Sequence, residues 1–211
     1  MKTNQKSGTV SIPVTVKHRL GIDSIDAYEF VQQFVGTVAH AGCETFFVHA
    51  RNAVLKGLSP KDNREVPPLK YDYVYRLKRD FPELRIVVNG GVNTLEAIEP
   101  HLLQVDGVML GRVAYHDPCV LAQAGVRLFG EAPRSRSAIV GHMIAYAIGE
   151  VQHGTPLRAI VRHMLGLYHG QPNARVWRRM LSDASLLFAN RPALLLDAMK
   201  ATENTELAAI A

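Results

Sequence analysis

Apolar residues in the first 110 positions concentrate in four short runs, at residues 12–17, 45–49, 84–89 and 107–110. Each run is rich in β-branched or aromatic residues, and three of them lead directly into a polar side chain. Short continuous apolar runs are typical of strands in a parallel sheet that is covered on both faces. The pattern therefore predicts four parallel strands, each buried on both sides.

Amphipathic stretches separate these four runs. Between the first two runs, apolar residues recur at helical spacing over residues 27–38. A second helix is predicted over residues 71–81, and a third follows Asn93, with Glu96 placed as in a capping box. The resulting order β-α-β-α-β-α-β predicts an α/β fold of repeated strand–helix units.

The strand pattern stops after Gly130, and helical patterns continue to the end of the chain. We therefore predict two domains, a strand–helix domain over residues 1–130 and a helical domain over residues 131–211. One predicted helix carries an apolar stripe from Leu157 to Tyr168, and the next buries Trp177. The polar side of that second helix carries three arginines, Arg175, Arg178 and Arg179.

The positive charge is concentrated in this helical part. The chain has a net charge of +5 and a pI near 9.3, and it has no Asp or Glu between Gly154 and Ser182. A surface of one sign commonly meets phosphates, although a solvated helix face is the alternative. An anionic partner is therefore expected.

The connection at residues 53–69 is long, polar and rich in proline. It is too long for a plain turn, so it is predicted to be a functional loop. It contains Lys56, Lys61 and Arg64.

The residues at the strand ends form a candidate site, because parallel barrels build their active sites at the carboxyl ends of their strands. Glycines there let backbone N–H groups approach an anion, and an arginine can hold a phosphate with two hydrogen bonds. Gly-Gly after a strand can also be a simple tight turn. Two such elements after the last two strands favour a phosphate site. The elements are Asn89-Gly90-Gly91 and Gly111-Arg112.

Two further polar residues, Lys17 and His49, end the first two predicted strands. A lysine at the end of a buried strand needs an anionic partner, either a carboxylate in a buried salt bridge or a reduced flavin ring. His49 is either a core histidine or part of the same site.

Several classes of protein are not expected. The two cysteines, Cys43 and Cys119, stand alone, and no His pair has metal-ligand spacing, so neither a disulfide framework nor a metal site is predicted. We find no apolar run of about 18 residues and no secretory signal, so a cytoplasmic protein without membrane spans is expected.

Five ordered segments of the chain resemble the A subfamily of bacterial tRNA-dihydrouridine synthases, over roughly residues 12–182. They read VTVKHRLGID, FFVHARNAVLKGLSPKDNREVPPL, NGGVNTLEA, DGVMLGRVAYHDP and RHMLGLYHGQPNARVWRRMLS. The resemblance implies the second half of a (β/α)8 TIM barrel that binds FMN, followed by a small helical domain. It also implies reduction of uridines 20 and 20a in the tRNA D-loop, with NADPH as the reductant.

The resemblance assigns roles to the residues described above. It implies that Lys17 and His49 contact the flavin, and that Asn89, Gly90, Gly91, Gly111 and Arg112 hold its ribityl and phosphate end. Two groups of cations are implied to contact tRNA. They are Lys61 and Arg64 in the loop, and Arg175, Arg178 and Arg179 in the helical domain.

The sequence lacks the segment in which family members carry their catalytic cysteine, which is therefore expected before residue 1, and neither Cys43 nor Cys119 has the surrounding motif. On this interpretation the isolated chain is inactive, and its alternative function is tRNA binding alone. A dimer that rebuilds an eight-stranded sheet is a third hypothesis; the sequence does not determine the oligomeric state.

Overall fold

A computed structural model describes residues 12–203 of the chain. Its packing divides the chain into two compact units, with the division between Gly111 and Arg112. We call the described parts of these units the sheet unit and the helical unit. The sequence places a domain boundary later, at residue 130. The difference concerns the segment around Cys119, which lies in the hydrophobic core of the helical unit.

The sheet unit alternates strands and helices in the order expected from the sequence, so the predicted α/β class is confirmed. The helices occupy the connections between successive strands, and a one-turn 3₁₀ helix interrupts the long loop. The elements are β1 (Val16–Arg19), α1 (Tyr28–His40), β2 (Thr45–His49), the 3₁₀ helix (Asp62–Arg64), α2 (Tyr71–Asp80), β3 (Arg85–Asn89), α3 (Leu95–Leu102) and β4 (Gly107–Met109).

All four strands are parallel and lie in the order β1-β2-β3-β4. Helices α1 and α2 pack on one face of the sheet, where Phe46, Val48, Ile86 and Val88 are fully buried. On the opposite face Phe47 and its neighbours remain partly exposed. The prediction that each strand is buried on both faces is therefore wrong for this unit, because its helices cover one face.

The first strand also begins later than predicted, at Val16 instead of residue 12. Residues 12–15 are exposed and lie outside the sheet. Pro13 has no N–H group to donate to a strand ladder, which is consistent with its place outside the sheet. The third helix is capped by Thr94, whose hydroxyl accepts a hydrogen bond from the Ala97 N–H, and not by Asn93.

The helical unit contains only helices and turns within its described residues. Its seven helices are α4 (Arg112–His116), α5 (Cys119–Phe129), α6 (Arg136–Gln152), α7 (Leu157–Val161), α8 (Ala174–Met180), α9 (Ala184–Phe188) and α10 (Leu194–Glu203).

The helix predicted through Tyr168 ends at Val161. The following residues form tight turns that keep Met164, Leu167 and Tyr168 buried. A glycine is needed in these turns, because a Cβ at Gly166 would lie 2.3 Å from the His116 carbonyl oxygen. The apolar spacing therefore predicted burial correctly, whereas the predicted extent of the helix was wrong.

Trp177 anchors the core of the helical unit. Its ring is fully buried, and its indole N–H donates a hydrogen bond of 2.9 Å to the Met164 carbonyl. The ring also packs on Tyr168, with 4.8 Å between the ring centroids. Among the described residues, no helix combines the length and apolar character that crossing a membrane requires.

Candidate functional site

The carboxyl ends of β1, β2 and β3 bring Arg19, His49 and Asn89 into one row. Arg19 pairs with His49 in the register of the sheet, and His49 pairs with Asn89. The Asn89 side-chain amide donates a hydrogen bond of 2.9 Å to the carbonyl of Met109 on β4. The parallel sheet therefore gathers His49 and Asn89 at one edge, as the sequence predicts.

The backbone after β3 turns sharply at two glycines that both have positive φ, 113° at Gly90 and 74° at Gly91. A Cβ at Gly90 would lie 2.7 Å from Cδ2 of His49, and one at Gly91 would lie 2.8 Å from the Tyr71 hydroxyl oxygen. That hydroxyl donates a hydrogen bond of 2.6 Å to the Gly90 carbonyl. Dense packing alone thus requires both glycines, with or without a ligand.

Gly111 has a different environment. A Cβ built there would meet no described atom within 4 Å, so packing does not explain a glycine at this position. Arg112 follows it as the exposed first residue of α4. Because α4 has only five residues, its dipole contributes little to an anion site.

Lys17 does not end its strand and is not buried. It pairs with Phe47 on the open face of the sheet, two residues before Arg19, and its side chain is exposed. Partial burial, and then the nearby Arg19, lower the pKa of its ammonium group. The buried salt bridge considered from the sequence is not found among the described residues. A cation on this open face is available to an anionic ligand.

His49 is buried, with 7% of its surface exposed, and its ring lies against Gly90. Its position is compatible with both hypotheses made from the sequence and does not decide between them. It packs as a core histidine, and it stands in the row of residues at the carboxyl edge.

The loop at residues 53–69 presents two of the predicted RNA contacts. Lys61 and Arg64 are exposed at the two ends of the 3₁₀ helix. Between them, Asn63 turns inward and accepts hydrogen bonds from the Arg19 guanidinium. This pair was not predicted from the sequence, although the loop itself was.

The other predicted RNA contacts share one surface of the helical unit. We call it the arginine groove, an open depression of about 960 Å³ that also involves His169 and Gln171. Asn173 positions its helix by adopting φ 59° and by donating a 3.1 Å hydrogen bond to the Thr202 carbonyl. No acidic residue lines the groove within residues 12–203. The three groove arginines, all exposed on α8, are Arg175, Arg178 and Arg179.

Neither cysteine has surroundings suited to acid–base chemistry at the candidate site. Cys43 precedes β2, at the opposite end of the strands. Cys119 is buried in the core of the helical unit, donates to the Leu167 carbonyl, and has its pKa raised by burial. The described residues contain no group of three or more His, Cys, Asp or Glu side chains that could hold a metal ion.

The sequence of the chain matches a known protein family. The family model for dihydrouridine synthases matches residues 3–206, almost the whole chain. The chain belongs to the dihydrouridine synthase family. The family resemblance found in the sequence and the TIM-barrel fold class that it implies are thereby confirmed.

Curated members of this family are close relatives. The chain is 54% identical over 190 residues to the tRNA-dihydrouridine(20/20a) synthase of Pseudomonas syringae pv. tomato, covering 89% of this chain and 56% of that protein. It is 50% identical over 194 residues to the protein of that name from Synechocystis sp., covering 91% of this chain and 58% of the relative. The Shewanella oneidensis relative is 53% identical over 176 residues, which are 82% and 52% of the two chains. The chain thus spans about half the length of the curated relatives it matches.

Proposed function

We propose that this chain contributes the flavin phosphate site and an RNA-binding surface to a tRNA-dihydrouridine(20/20a) synthase. In this activity, uridines 20 and 20a of the tRNA D-loop become 5,6-dihydrouridine, with FMN as cofactor and NADPH as reductant, in the cytoplasm. The observation that carries the proposal is the identity of 50% or more, over most of the chain, to relatives that bear this name. These relatives favour the enzyme over a protein that only binds tRNA.

Two observations on the sheet unit support FMN as the cofactor. Lys17 offers a cation on the open face without a described carboxylate partner, and Gly111 leaves space where a side chain would stand. Lys17 and His49 would hold the flavin ring. The ribityl and phosphate end would be held by Asn89, Gly90, Gly91, Gly111 and Arg112. When bound and reduced by NADPH, FMN would supply the hydride that adds to uracil C6.

The protein's own residues then have to bind and orient the RNA. The exposed cations Lys61 and Arg64 are suited to phosphates near the sheet edge, and the arginine groove is suited to phosphates at the helical unit. Such contacts fix the position of the RNA without reading its bases. Placing the target uridine is thus the task that we assign to these two surfaces.

Completing the reduction requires a proton donor for uracil C5, and we assign this role to neither cysteine of this chain. A proton donor must come within hydrogen-bond reach of the reacting carbon. Cys43 lies at the wrong end of the sheet, and the buried thiol of Cys119 is held by Leu167.

A chimera tests the proposal. This chain replaces the matched segment of the Pseudomonas syringae relative, and the purified chimera is loaded with FMN. We expect NADPH oxidation under anaerobic conditions that depends on unmodified tRNA. The matched variant Lys17→Met should bind FMN more weakly and oxidise NADPH more slowly. A folded, FMN-loaded chimera that never oxidises NADPH in response to tRNA would contradict the proposal.

A further inference from the structure

The loop at residues 53–69 is held by an arginine from the neighbouring strand. The Arg19 guanidinium nitrogen Nη1 donates to the carbonyls of Asn52 and Asn63, both at 2.7 Å, and to the side-chain oxygen of Asn63 at 2.9 Å. Hydrogen bonds from a charged donor are roughly twice as strong as neutral ones. A single half-buried side chain therefore joins the start of the loop to its 3₁₀ helix.

Asn63 closes the same connection from the other side. Its side-chain oxygen also accepts from the Val54 N–H at 3.1 Å, and its amide nitrogen donates to the Val54 carbonyl. The Asn63 side chain thus pairs with both backbone groups of Val54, as a neighbouring strand would. We call the Arg19 and Asn63 contacts together the loop clamp.

The 3₁₀ helix is stabilised locally as well. The Ser59 hydroxyl oxygen accepts from the Asp62 N–H at 3.1 Å, and the Arg64 N–H donates to the Lys61 carbonyl at 3.0 Å. Residues three apart in a 3₁₀ helix lie on the same side. Lys61 and Arg64 are three apart and both exposed, whereas Asn63 between them points inward.

From this arrangement we propose that Arg19 and Asn63 are positioning residues, which hold Lys61 and Arg64 in their RNA-binding arrangement before tRNA arrives. The inference rests on the proposed contact of these two cations with tRNA. Without the clamp the loop still carries both charges, but binding must order two long side chains and their backbone, which costs affinity.

The salt dependence of tRNA binding distinguishes a positioning residue from a residue that contacts phosphate. A residue that contacts phosphate contributes to the slope of log affinity against log salt, whereas a positioning residue leaves the number of contacts in the complex unchanged. For the full 211-residue chain and an unmodified tRNA transcript, Asn63→Ala should lower affinity by about tenfold with an unchanged salt slope. The double variant Lys61→Ala, Arg64→Ala should lower affinity and flatten the slope. Val66→Ala, at a position in the same loop that is 63% exposed, is the matched control and should change neither.

A second measurement uses no RNA. Trypsin cleaves after Lys61 and Arg64, and release of the clamp should speed cleavage at these two sites by about tenfold or more in Asn63→Ala, while cleavage in the helical unit is unchanged. Arg19→Lys should give a smaller increase, because an ammonium group can replace part of the guanidinium contacts.

The outcomes distinguish the clamp from the RNA contact. If the double variant loses affinity and Asn63→Ala does not, or if Asn63→Ala flattens the salt slope, the clamp is refuted and the proposed RNA contact stands. If the double variant binds like the wild-type chain, both are refuted. Unchanged cleavage in Asn63→Ala also overturns the clamp. A loss of affinity at constant slope with faster cleavage supports it.

Discussion

Replacing Gly90 with alanine should destabilise the sheet unit by about 2 to 4 kcal/mol. At φ 113° an alanine is strained, which contributes about 1 to 3 kcal/mol. The new Cβ would also lie 2.7 Å from the His49 ring and 3.2 Å from Leu69. His49 is buried on a central strand, so its ring cannot swing away without loss of packing.

Urea unfolding followed by circular dichroism measures this change. Gly111→Ala is the matched control, because the same Cβ there would meet no described atom within 4 Å and the stability should change by less than about 0.5 kcal/mol. In the FMN-loaded chimera the control variant should instead weaken FMN binding. The packing argument fails if Gly90→Ala unfolds at the wild-type urea concentration, or if both variants are destabilised equally.

Three further predictions concern the helical unit and the effect of pH. Replacing all three groove arginines with Ala should weaken tRNA binding and flatten the slope of log affinity against log salt, by up to about 0.9 per lost contact on the scale for duplex DNA. The control variant Arg134→Ala, Arg191→Ala, Lys200→Ala removes the same charge outside the groove and should flatten the slope less. Equal slopes for the two variants would contradict the proposal that the groove binds phosphates. Trp177→Ala should lower the free energy of unfolding in urea by about 3 to 5 kcal/mol, because it removes a fully buried ring and the hydrogen-bond donor to Met164. The variant without the groove arginines should keep the wild-type stability. Equal losses in both variants would contradict the assignment of Trp177 to the core and of the arginines to the surface. Burial lowers the pKa of His18 and of His101 below the ordinary value of 6.5, so the unfolded chain binds more protons than the folded chain, and stability should fall as the pH drops below about 6.5. Thermal melts at several pH values should show a smaller loss of stability in acid for His18→Phe than for the wild type. Identical pH profiles would show that His18 does not contribute to the acid effect.

The order of the elements in the sheet unit was predictable, because short apolar runs and helical spacing are local properties of the chain. The run at residues 45–49 matches β2 residue for residue. Burial of the strands on both faces was not predictable from the runs alone, since burial depends on which elements cover the sheet. The apolar stripe from Leu157 to Tyr168 likewise shows which residues are buried, but it does not show that the helix ends at Val161 and that turns follow.

The candidate site follows the same division between local and distant information. His49 and Asn89 could be placed together, because parallel strands bring their carboxyl ends to one edge. The buried salt bridge considered for Lys17 is not found among the described residues, because the lysine is exposed and lies on an edge strand of the sheet. The Arg19–Asn63 contact joins residues 44 positions apart, and no periodic pattern signals such a pair. The uncharged Asn63 between Lys61 and Arg64 in the SPKDNRE segment is a sequence signal that could have indicated an inward-facing side chain.

The most direct test of the proposed function is to locate dihydrouridine in a tRNA transcript after reaction with the FMN-loaded chimera and NADPH. Nuclease digestion and mass spectrometry assign each reduced uridine to its position. We predict dihydrouridine at positions 20 and 20a, and a strong decrease at both when the groove arginines are replaced with Ala. Dihydrouridine at other positions only, or none from a folded and flavin-loaded chimera, would contradict the proposed function.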